Sequence, residues 1–301
     1  PIISKNIITI FLSLSHVIYS IFRSLVFLFT KRPSIVFGMG GYASFPICIA
    51  AKLLNIRFII YENNLIVGKA NKYLAPFAVK IFVSSKQLKG IPLKHKNKII
   101  EIGNIIKKDF ITFSDKNIHK KNDKKISLLV LGGSQAAEVF AEILPKIFIK
   151  CHKEKIPLKI FQQCLPTQDQ KLQLLYKNAN LDFETFNFSN NLIRYFSKAN
   201  LAITRSGSSV LAELTNCNIP FISIPLPSSA DNHQLENAIY YEKKNLGFLL
   251  EEKDIEKSLF SRIKSIYENN STLKGIEKNQ RQYSDKNVYE NINKELREII
   301  N

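Results

Sequence analysis

Short runs of β-branched and other apolar residues alternate with helical patterns along almost the whole chain. This alternation is typical of βαβ units, in which a parallel sheet is covered by helices. In the first part of the chain the predicted strands are residues 34–37, 58–61, 81–83 and 99–102. In the second part they are residues 126–131, 158–162, 181–186, 201–204, 221–224 and 247–250. The pattern therefore predicts an α/β fold, with helices at residues 46–54, from residue 135 through about residue 150, and over the last fifty residues.

The chain is long enough for two domains, because a single core usually stops growing near its length of 301 residues. A lysine-rich polar segment without apolar periodicity separates the two runs of strands. Within it we place a linker at residues 116–125. The predicted domains are residues 1–115 and 126–285, followed by a C-terminal helix at 286–301.

Residues 7–29 form the most hydrophobic segment and raise the question of a transmembrane helix. The longest run without charge, residues 7–22, has sixteen residues and includes Thr, Ser and His, after which Arg23 interrupts it. A membrane span needs roughly 18 to 20 apolar residues. We therefore predict a helix lying against the membrane interface, with Lys31 and Arg32 at the headgroup end, or alternatively a buried core helix.

Charge adds a preference for anionic partners. The chain has 43 Lys and Arg against 25 Asp and Glu, a formal net charge of +18. Such an excess favours nucleic acid or an anionic membrane surface, and the sequence contains no nucleic-acid motif with interleaved aromatic residues. The four cysteines lie far apart without metal-ligand spacing, which fits a reduced, cytoplasmic compartment.

Two glycine clusters, Gly38-Met39-Gly40-Gly41 and Gly132-Gly133-Ser134, each follow a predicted strand and precede a predicted helix. An isolated cluster of this kind more often serves only as a tight turn. Here the two clusters stand in separate α/β units, and open parallel sheets bind ligands beyond the carboxyl ends of their strands. Their placement predicts ligand-binding loops at a cleft between two domains.

The most informative segment is a third strand-to-helix turn at residues 203–213. Its Ser206-Gly207-Ser208-Ser209 sequence can turn tightly and present backbone N–H groups to a diphosphate. Glu213 lies four residues after Ser209 and shares its helix face, so the carboxylate can face the same ligand. Without a metal motif, charge on a leaving group would be met by backbone dipoles and by Arg205 or Lys107.

A second polar pair follows on the next predicted helix. Gln234 and Asn237 are three residues apart, so both amides share a face suited to hydroxyl recognition. His233 has no identifiable carboxylate partner, which argues against a catalytic base there. Glu62-Asn63-Asn64, directly after a strand of the first domain, could bind sugar hydroxyls or merely cap the next helix.

In order and spacing, these motifs resemble the MurG glycosyltransferases of bacterial peptidoglycan synthesis over nearly the whole chain. The segments that carry the resemblance are Phe37-Gly38-Met39-Gly40-Gly41-Tyr42, residues 50–54, Glu62-Asn63-Asn64 with Gly68 and Asn71, Gly103-Asn104, Gly132-Gly133-Ser134-Gln135, Arg205-Ser206-Gly207, and Gln234 with Asn237-Ala238.

The resemblance implies a GT-B fold, with two Rossmann-like, doubly wound parallel-sheet domains and a cleft between them. It implies an inverting transfer of GlcNAc from UDP-GlcNAc to lipid I, forming lipid II, without a cofactor or required metal. The expected partners are UDP-GlcNAc, lipid I and the anionic inner leaflet, and not nucleic acid. The expected location is peripheral, on the cytoplasmic face of the plasma membrane, with roles in cell wall synthesis, cell shape and division.

The resemblance also implies roles for individual residues. Glu213 is expected on the ribose hydroxyls, Ser189 on the uracil through its backbone, and Asn64 on the cleft. Ser134 is expected near the diphosphate, Gln234 and Asn237 on the GlcNAc hydroxyls, and Lys107 stands where the family usually has an arginine. The turn and helix expected to contact the nucleotide comprise Ser208, Ser209, Val210, Leu211, Ala212 and Glu213.

The sequence departs from the family pattern in three places. The family's Gly-Gly-Thr-Gly-Gly-His loop, whose histidine is a favoured general base, does not occur in it, so we expect an N-terminally truncated chain, leave the catalytic base unassigned, and expect donor binding to survive better than turnover. The usual Glu-Gln-Asn is Glu62-Asn63-Asn64, and Ala136 and Glu138 replace a glycine and a basic residue.

Two other functions remain open at this point. One is a different GT-B enzyme, such as a glycolipid glycosyltransferase or a UDP-GlcNAc epimerase. The other is a non-catalytic basic protein that binds membrane surfaces.

Overall fold

The computed structural model describes residues 7–113, 125–189, 191–283 and 285–300, and the side chains of all of these except residues 7–11 and 134–137. The chain forms two compact units, Pro1–Ile105 with Asn287–Asn301 and Ile106–Lys286. The predicted linker at 116–125 lies almost entirely outside the described residues.

The first unit is built on a four-stranded parallel sheet in the order β1-β2-β3-β4. Its strands are β1 (Val36–Gly38), β2 (Phe58–Glu62), β3 (Lys80–Val83) and β4 (Ile99–Glu101). Its first three helices are α1 (Ile7–Lys31), α2 (Gly41–Leu53) and α3 (Lys69–Leu74). Gly38 lets α2 approach the sheet closely, since a Cβ there would lie 2.7 Å from Cys48 Sγ.

The second unit has a six-stranded parallel sheet in the order β10-β9-β8-β5-β6-β7. Its strands are β5 (Ile126–Leu131), β6 (Leu158–Gln163), β7 (Asp182–Phe186), β8 (Leu201–Arg205), β9 (Phe221–Ile224) and β10 (Phe248–Leu249). Its helices are α4 (Lys108–Ile111), α5 (Gly133–Lys153), α6 (Pro166–Asn178), α7 (Ile193–Phe196), α8 (Ser208–Asn216), α9 (His233–Lys243), α10 (Ile255–Glu268) and α11 (Ser271–Gln280). The last helix, α12 (Val288–Ile300), belongs to the first unit, where Asn291 Nδ2 donates to the carbonyl oxygen of Ile102 at 3.2 Å.

Both faces of the second sheet are buried, which explains the nearly continuous apolar runs of its strands. Along β5, Leu128 and Val130 join a core that includes Phe140 of α5. The alternate residues of β5, Leu129 and Leu131, join a second core that includes Leu211 of α8. The two faces therefore follow the two-residue period of a strand.

The predicted α/β class and all ten predicted strands are confirmed, with every end within two residues of its predicted position. The helix predicted to begin at Pro46 begins instead at Gly41. Proline favours the first turn of a helix, but here the added turn is held by the Ser44 hydroxyl, which donates to the carbonyl oxygen of Gly40 at 2.9 Å.

A pair of glycine substitutions tests the packing of the second unit. A Cβ on Gly247 would overlap the ring of the buried Phe221, whereas a Cβ on Gly275, inside α11, would meet nothing within 4 Å. We expect Gly247→Ala to lower the free energy of unfolding by about 1–3 kcal/mol and Gly275→Ala to raise it by about 0.5–1 kcal/mol. Urea denaturation measures both, and equal effects would contradict this packing.

Candidate functional site

In the second sheet the order in which the chain adds strands reverses between β5 and β8, which leaves room for a ligand beyond the ends of these two strands. From β5 the chain winds outward through β6 on one side, and β8 and β9 extend the sheet on the other. Leu131 pairs with Thr204, so the two strands end level with each other. A crevice is expected at such a switch point. A cavity of about 370 Å³ lies there, lined by Leu131, Gly132, Gly133, Gln163, Leu192, Thr204, Arg205, Gly207, Val210, Glu213, Leu226 and Gln234.

Two helix N-termini meet this cavity. The residues preceding α5 and α8 are Gly132 and Gly207, and both line the cavity. Gly133 has a φ of 64°, which suits glycine, and open space where a Cβ would stand. Helix N-termini carry partial positive charge from the backbone dipoles, so the cavity is suited to an anion such as a diphosphate.

Glu213, on α8, is the acidic group of the cavity. Burial raises its carboxyl pKa from 4.5 to about 7, and the positive charge of Lys107 partly opposes that rise. Lys107 immediately precedes α4 and is exposed. The structure thus places two predicted site residues within electrostatic reach of each other.

Arg205 is held by its own protein. Its Nη1 donates to the carbonyl oxygens of Ile224 and Pro225, each at 3.3 Å, and its Nη2 pairs with the carboxylate of Glu252. The guanidinium also lies 4.7 Å from the centre of the Phe140 ring. Arg205 lines the cavity, but as an internally paired cation it differs from the free counter-charge expected from the sequence.

Gln234 and Asn237 occupy different positions in relation to the cavity. Gln234 lines it, and its Oε1 accepts from the backbone N–H of Leu226 at 3.0 Å, which leaves the Nε2 hydrogens for another acceptor. Asn237 is buried, and its Nδ2 donates to the carbonyl oxygen of Ser206 at 3.1 Å. Asn237 therefore holds the β8–α8 turn and is not among the residues that line the cavity, and its direct contact with a GlcNAc hydroxyl stays a prediction.

Of the predicted residues, the structure brings Arg205, Val210, Glu213 and Gln234 together around the cavity, with Lys107 near Glu213. The others of the second unit do not line it: Ser208, Leu211 and Ala212 are buried, Ser209 is exposed and Ser189 is partly buried. Leu211 and Ala212 face the core because α8 packs one side against the sheet. The side chain of Ser134 lies outside the described residues.

Sequence reasoning missed several lining residues, among them Gln163, Leu192 and Leu226. Gln163 carried a usable signal, because it directly follows a predicted strand, at the sheet edge where ligands bind. Leu192 and Leu226 lie on loops whose course the sequence pattern did not predict.

Asn64 lies in the first unit, where Glu62 organises the loop around it. The buried Glu62 carboxylate accepts from Gly68 N and Asn71 Nδ2 through Oε2, each at 2.9 Å, and from Asn64 N and Nδ2 through Oε1, each at 3.1 Å. Glu62 therefore holds the loop that leads into α3, which is closer to the expected capping role, and the binding of sugar hydroxyls by this segment stays a prediction.

No group of three or more His, Cys, Asp or Glu side chains that could hold a metal occurs among the described residues. His233 Nδ1 lies 2.7 Å from the carbonyl oxygen of Ala230, at the start of α9.

Helix α1 exposes a wide apolar surface in the described part of the first unit. Leu28 packs into the core, but Ile18, Tyr19, Phe22, Val26 and Phe29 are more than half exposed. Leu12–Lys31 is long and apolar enough to cross a membrane by length and composition, with mean hydropathy 1.6 and 6% of the segment buried. The helix is longer than its charge-free run of sixteen residues because α1 continues through Arg23 to Lys31. Since only 6% of the segment is buried, the alternative of a buried core helix is wrong, and the interfacial helix stays a prediction.

Comparisons with known proteins identify the family of the chain. The C-terminal domain of glycosyltransferase family 28 matches residues 127–293, and the N-terminal domain of that family matches residues 4–83. The chain belongs to glycosyltransferase family 28. This confirms the family resemblance stated from the motifs.

Relatives within family 28 match almost the whole chain. A Pelagibacter ubique protein is 36% identical over 99% of this chain and 83% of its own length, and a Rickettsia bellii protein is 36% identical over 91% and 78%. Both are named UDP-N-acetylglucosamine–N-acetylmuramyl-(pentapeptide) pyrophosphoryl-undecaprenol N-acetylglucosamine transferase. The crystal structure of Acinetobacter baumannii MurG shares the fold, with a TM-score of 0.74 and 22% identity over 92% of this chain and 78% of that one. The GT-B fold is therefore confirmed.

The raised pKa of Glu213 predicts a pH-dependent stability. Its folded form binds a proton more tightly than its unfolded form, so the stability it contributes at low pH is lost as pH rises from 4.5 through about 7. Between pH 5 and 8 the free energy of unfolding should fall by at most about 3 kcal/mol more in the native protein than in Glu213→Gln. Urea denaturation across this range measures the difference, and parallel pH profiles would contradict the assignment.

Proposed function

We propose that this chain is an N-acetylglucosaminyltransferase that transfers GlcNAc from UDP-GlcNAc to lipid I, the undecaprenyl-pyrophosphoryl-MurNAc-pentapeptide, to form lipid II. The observation that carries the proposal is the cavity at the β5–β8 switch point, where two helix N-termini and Glu213 converge. The names of the family 28 relatives, which match nearly the whole chain, supply the donor and the acceptor.

The proposed donor pose follows the chemistry around the cavity. The diphosphate lies against the backbone at Gly132–Ser134 and at the start of α8, where helix dipoles favour negative charge. The ribose hydroxyls donate to Glu213, and the uracil extends toward Ser189. A GlcNAc hydroxyl accepts from Gln234 Nε2, whose orientation the bond to Leu226 fixes.

Lys107 and Asn237 support this pose in different ways. Lys107 favours the ionised form of Glu213, which is the form that accepts hydrogen bonds from hydroxyls. Asn237 supports the pose by holding the Ser206 carbonyl at the β8–α8 turn.

In the proposed reaction an acceptor hydroxyl attacks the anomeric carbon of GlcNAc while the bond from that carbon to the UDP oxygen breaks. The configuration at the anomeric carbon inverts. The charge that develops on the departing diphosphate is met by the N-termini of α5 and α8. The base that receives the hydroxyl proton is not assigned to a described residue, and Asn64 remains a proposed acceptor-side residue.

We further propose that the exposed face of α1 attaches the enzyme to the cytoplasmic surface of the plasma membrane. Large apolar side chains are costly to leave in water, and burying one contributes roughly 1.5–3 kcal/mol. Lys31 and Arg32 stand at the end of this helix, and the net charge of +18 favours an anionic leaflet. The helix thus combines the two components of an interfacial anchor.

Calorimetric titration tests the donor assignment. UDP-GlcNAc should bind saturably and more tightly than UDP-glucose. Absence of saturable binding, or equal affinity for both sugars, would contradict the proposal. Formation of lipid II from lipid I then distinguishes the transferase from an epimerase that uses the same donor.

Donor affinity should also depend on pH through Glu213. UDP-GlcNAc binding should strengthen as pH rises from 6 to 8, because the carboxylate ionises near pH 7 and then accepts from the ribose. The diphosphate of UDP-GlcNAc is esterified at both ends, so no phosphate titrates in this range. In Glu213→Gln the affinity should be weaker and independent of pH, and a retained pH dependence would exclude Glu213 as its origin.

Membrane attachment is tested by sedimentation with phosphatidylglycerol vesicles. Replacing both Ile18 and Phe22 by Asp should lower the vesicle partition coefficient at least about tenfold, because two apolar contacts are lost and two negative charges added. Leu93→Asp is the matched control, since Leu93 is an exposed leucine elsewhere in the same unit. An equal effect of the control would refute a specific role for α1.

A further inference from the structure

Glu252 lies outside the cavity lining but contacts a residue that belongs to it. It begins the short 3-10 turn Glu252–Asp254, three residues after the end of the edge strand β10. Its carboxylate pairs with the guanidinium of Arg205, and the two side chains are 24% and 7% exposed. Removing the partly exposed carboxylate would leave the buried guanidinium of Arg205 without its charged partner, which is unfavourable. Glu252 is therefore needed to keep Arg205 in its place.

Arg205 in turn holds the start of the loop that follows β9. Its Nη1 donates to the carbonyl oxygens of Ile224 and Pro225, the last residue of β9 and the first residue of the loop. These bonds join the ends of the neighbouring strands β8 and β9. One terminal nitrogen of the guanidinium thus donates to the loop while the other donates to the Glu252 carboxylate.

The loop then sets the orientation of Gln234. Leu226 directly follows Pro225, and its backbone N–H donates to Gln234 Oε1 at 3.0 Å. This bond determines that the amide nitrogen, and not the oxygen, is left for a ligand. A shift of residues 224–226 would release that constraint.

We propose that Glu252 is a positioning residue for the sugar end of the donor site, acting through Arg205 and the residue 224–226 segment on Gln234. The inference rests on the proposed function, since it requires UDP-GlcNAc as the ligand. The nucleotide end of the site depends on Glu213 and on the starts of α5 and α8, and Glu252 contacts none of these in the part of the chain that the structure describes. Glu252 should therefore affect binding of UDP-GlcNAc and leave binding of UDP nearly unchanged.

The test compares the ratio of the Kd for UDP-GlcNAc to the Kd for UDP, measured by calorimetry on the whole chain. In Glu252→Ala this ratio should rise roughly tenfold, the value of about one hydrogen bond to the sugar. In Glu252→Gln, which retains an acceptor but not the charge, it should rise only about twofold. Glu251→Ala is the matched control, because Glu251 pairs with the exposed Lys253 at 2.8 Å, and its ratio should equal that of the native protein.

Each alternative outcome overturns the inference. Equal weakening of both ligands in Glu252→Ala, or a lowered melting temperature with an unchanged ratio, would show a general structural role. If Glu252→Ala does not fold, an unchanged ratio in Glu252→Gln overturns the proposal. Failure of the native chain to bind UDP-GlcNAc would instead refute the proposed function together with this inference, whereas native binding with an unaltered ratio in the variants refutes the inference alone.

Discussion

The parallel pairing of β5 with β8 is the constraint on which the site depends. It aligns Leu131 with Thr204 and sends the following helices, α5 and α8, away from two adjacent strand ends. Backbone geometry therefore brings two positive helix ends to one cavity, where Arg205 also lies, paired with Glu252. The sheet is held by cores on both faces, so the two strand ends are kept in register by packing over the whole second unit.

Two glutamates, the buried Glu62 and the partly buried Glu213, differ in what surrounds the carboxylate, and this difference separates a structural role from ligand recognition. Glu62 accepts four hydrogen bonds from its own loop, so both of its oxygens serve the structure. Glu213 is desolvated beside a cavity, and Lys107 opposes the resulting rise of its pKa only in part. Desolvation removes hydrogen bonds from water to the Glu213 carboxylate, and a ligand hydroxyl that donates to it would replace one of them. In this way a desolvated acid can contribute to ligand affinity.

The strands were predictable because a sheet buried on both faces requires continuous apolar runs. The β8–α8 turn and the family were predictable because both are carried by short local motifs. The Arg205–Glu252 pair was not, since it joins residues 47 positions apart whose proximity depends on the order of β8, β9 and β10. Similarly, residue spacing placed Asn237 beside Gln234 on one face, but only the packing of α9 shows that Asn237 is buried against the Ser206 turn. The helical segment at residues 7–29 was predicted to within two residues of its end, since α1 continues to Lys31.

The central claim is that UDP-GlcNAc binds at the β5–β8 switch point. Hydrogen–deuterium exchange of the chain with and without saturating UDP-GlcNAc tests it most directly, because bound ligand slows exchange of the amides it contacts or orders. The prediction is slower exchange in peptides covering residues 205–213 and 226–237, with no change in α10 and α11. Unchanged exchange at residues 205–213, or protection confined to other parts of the chain, would contradict it.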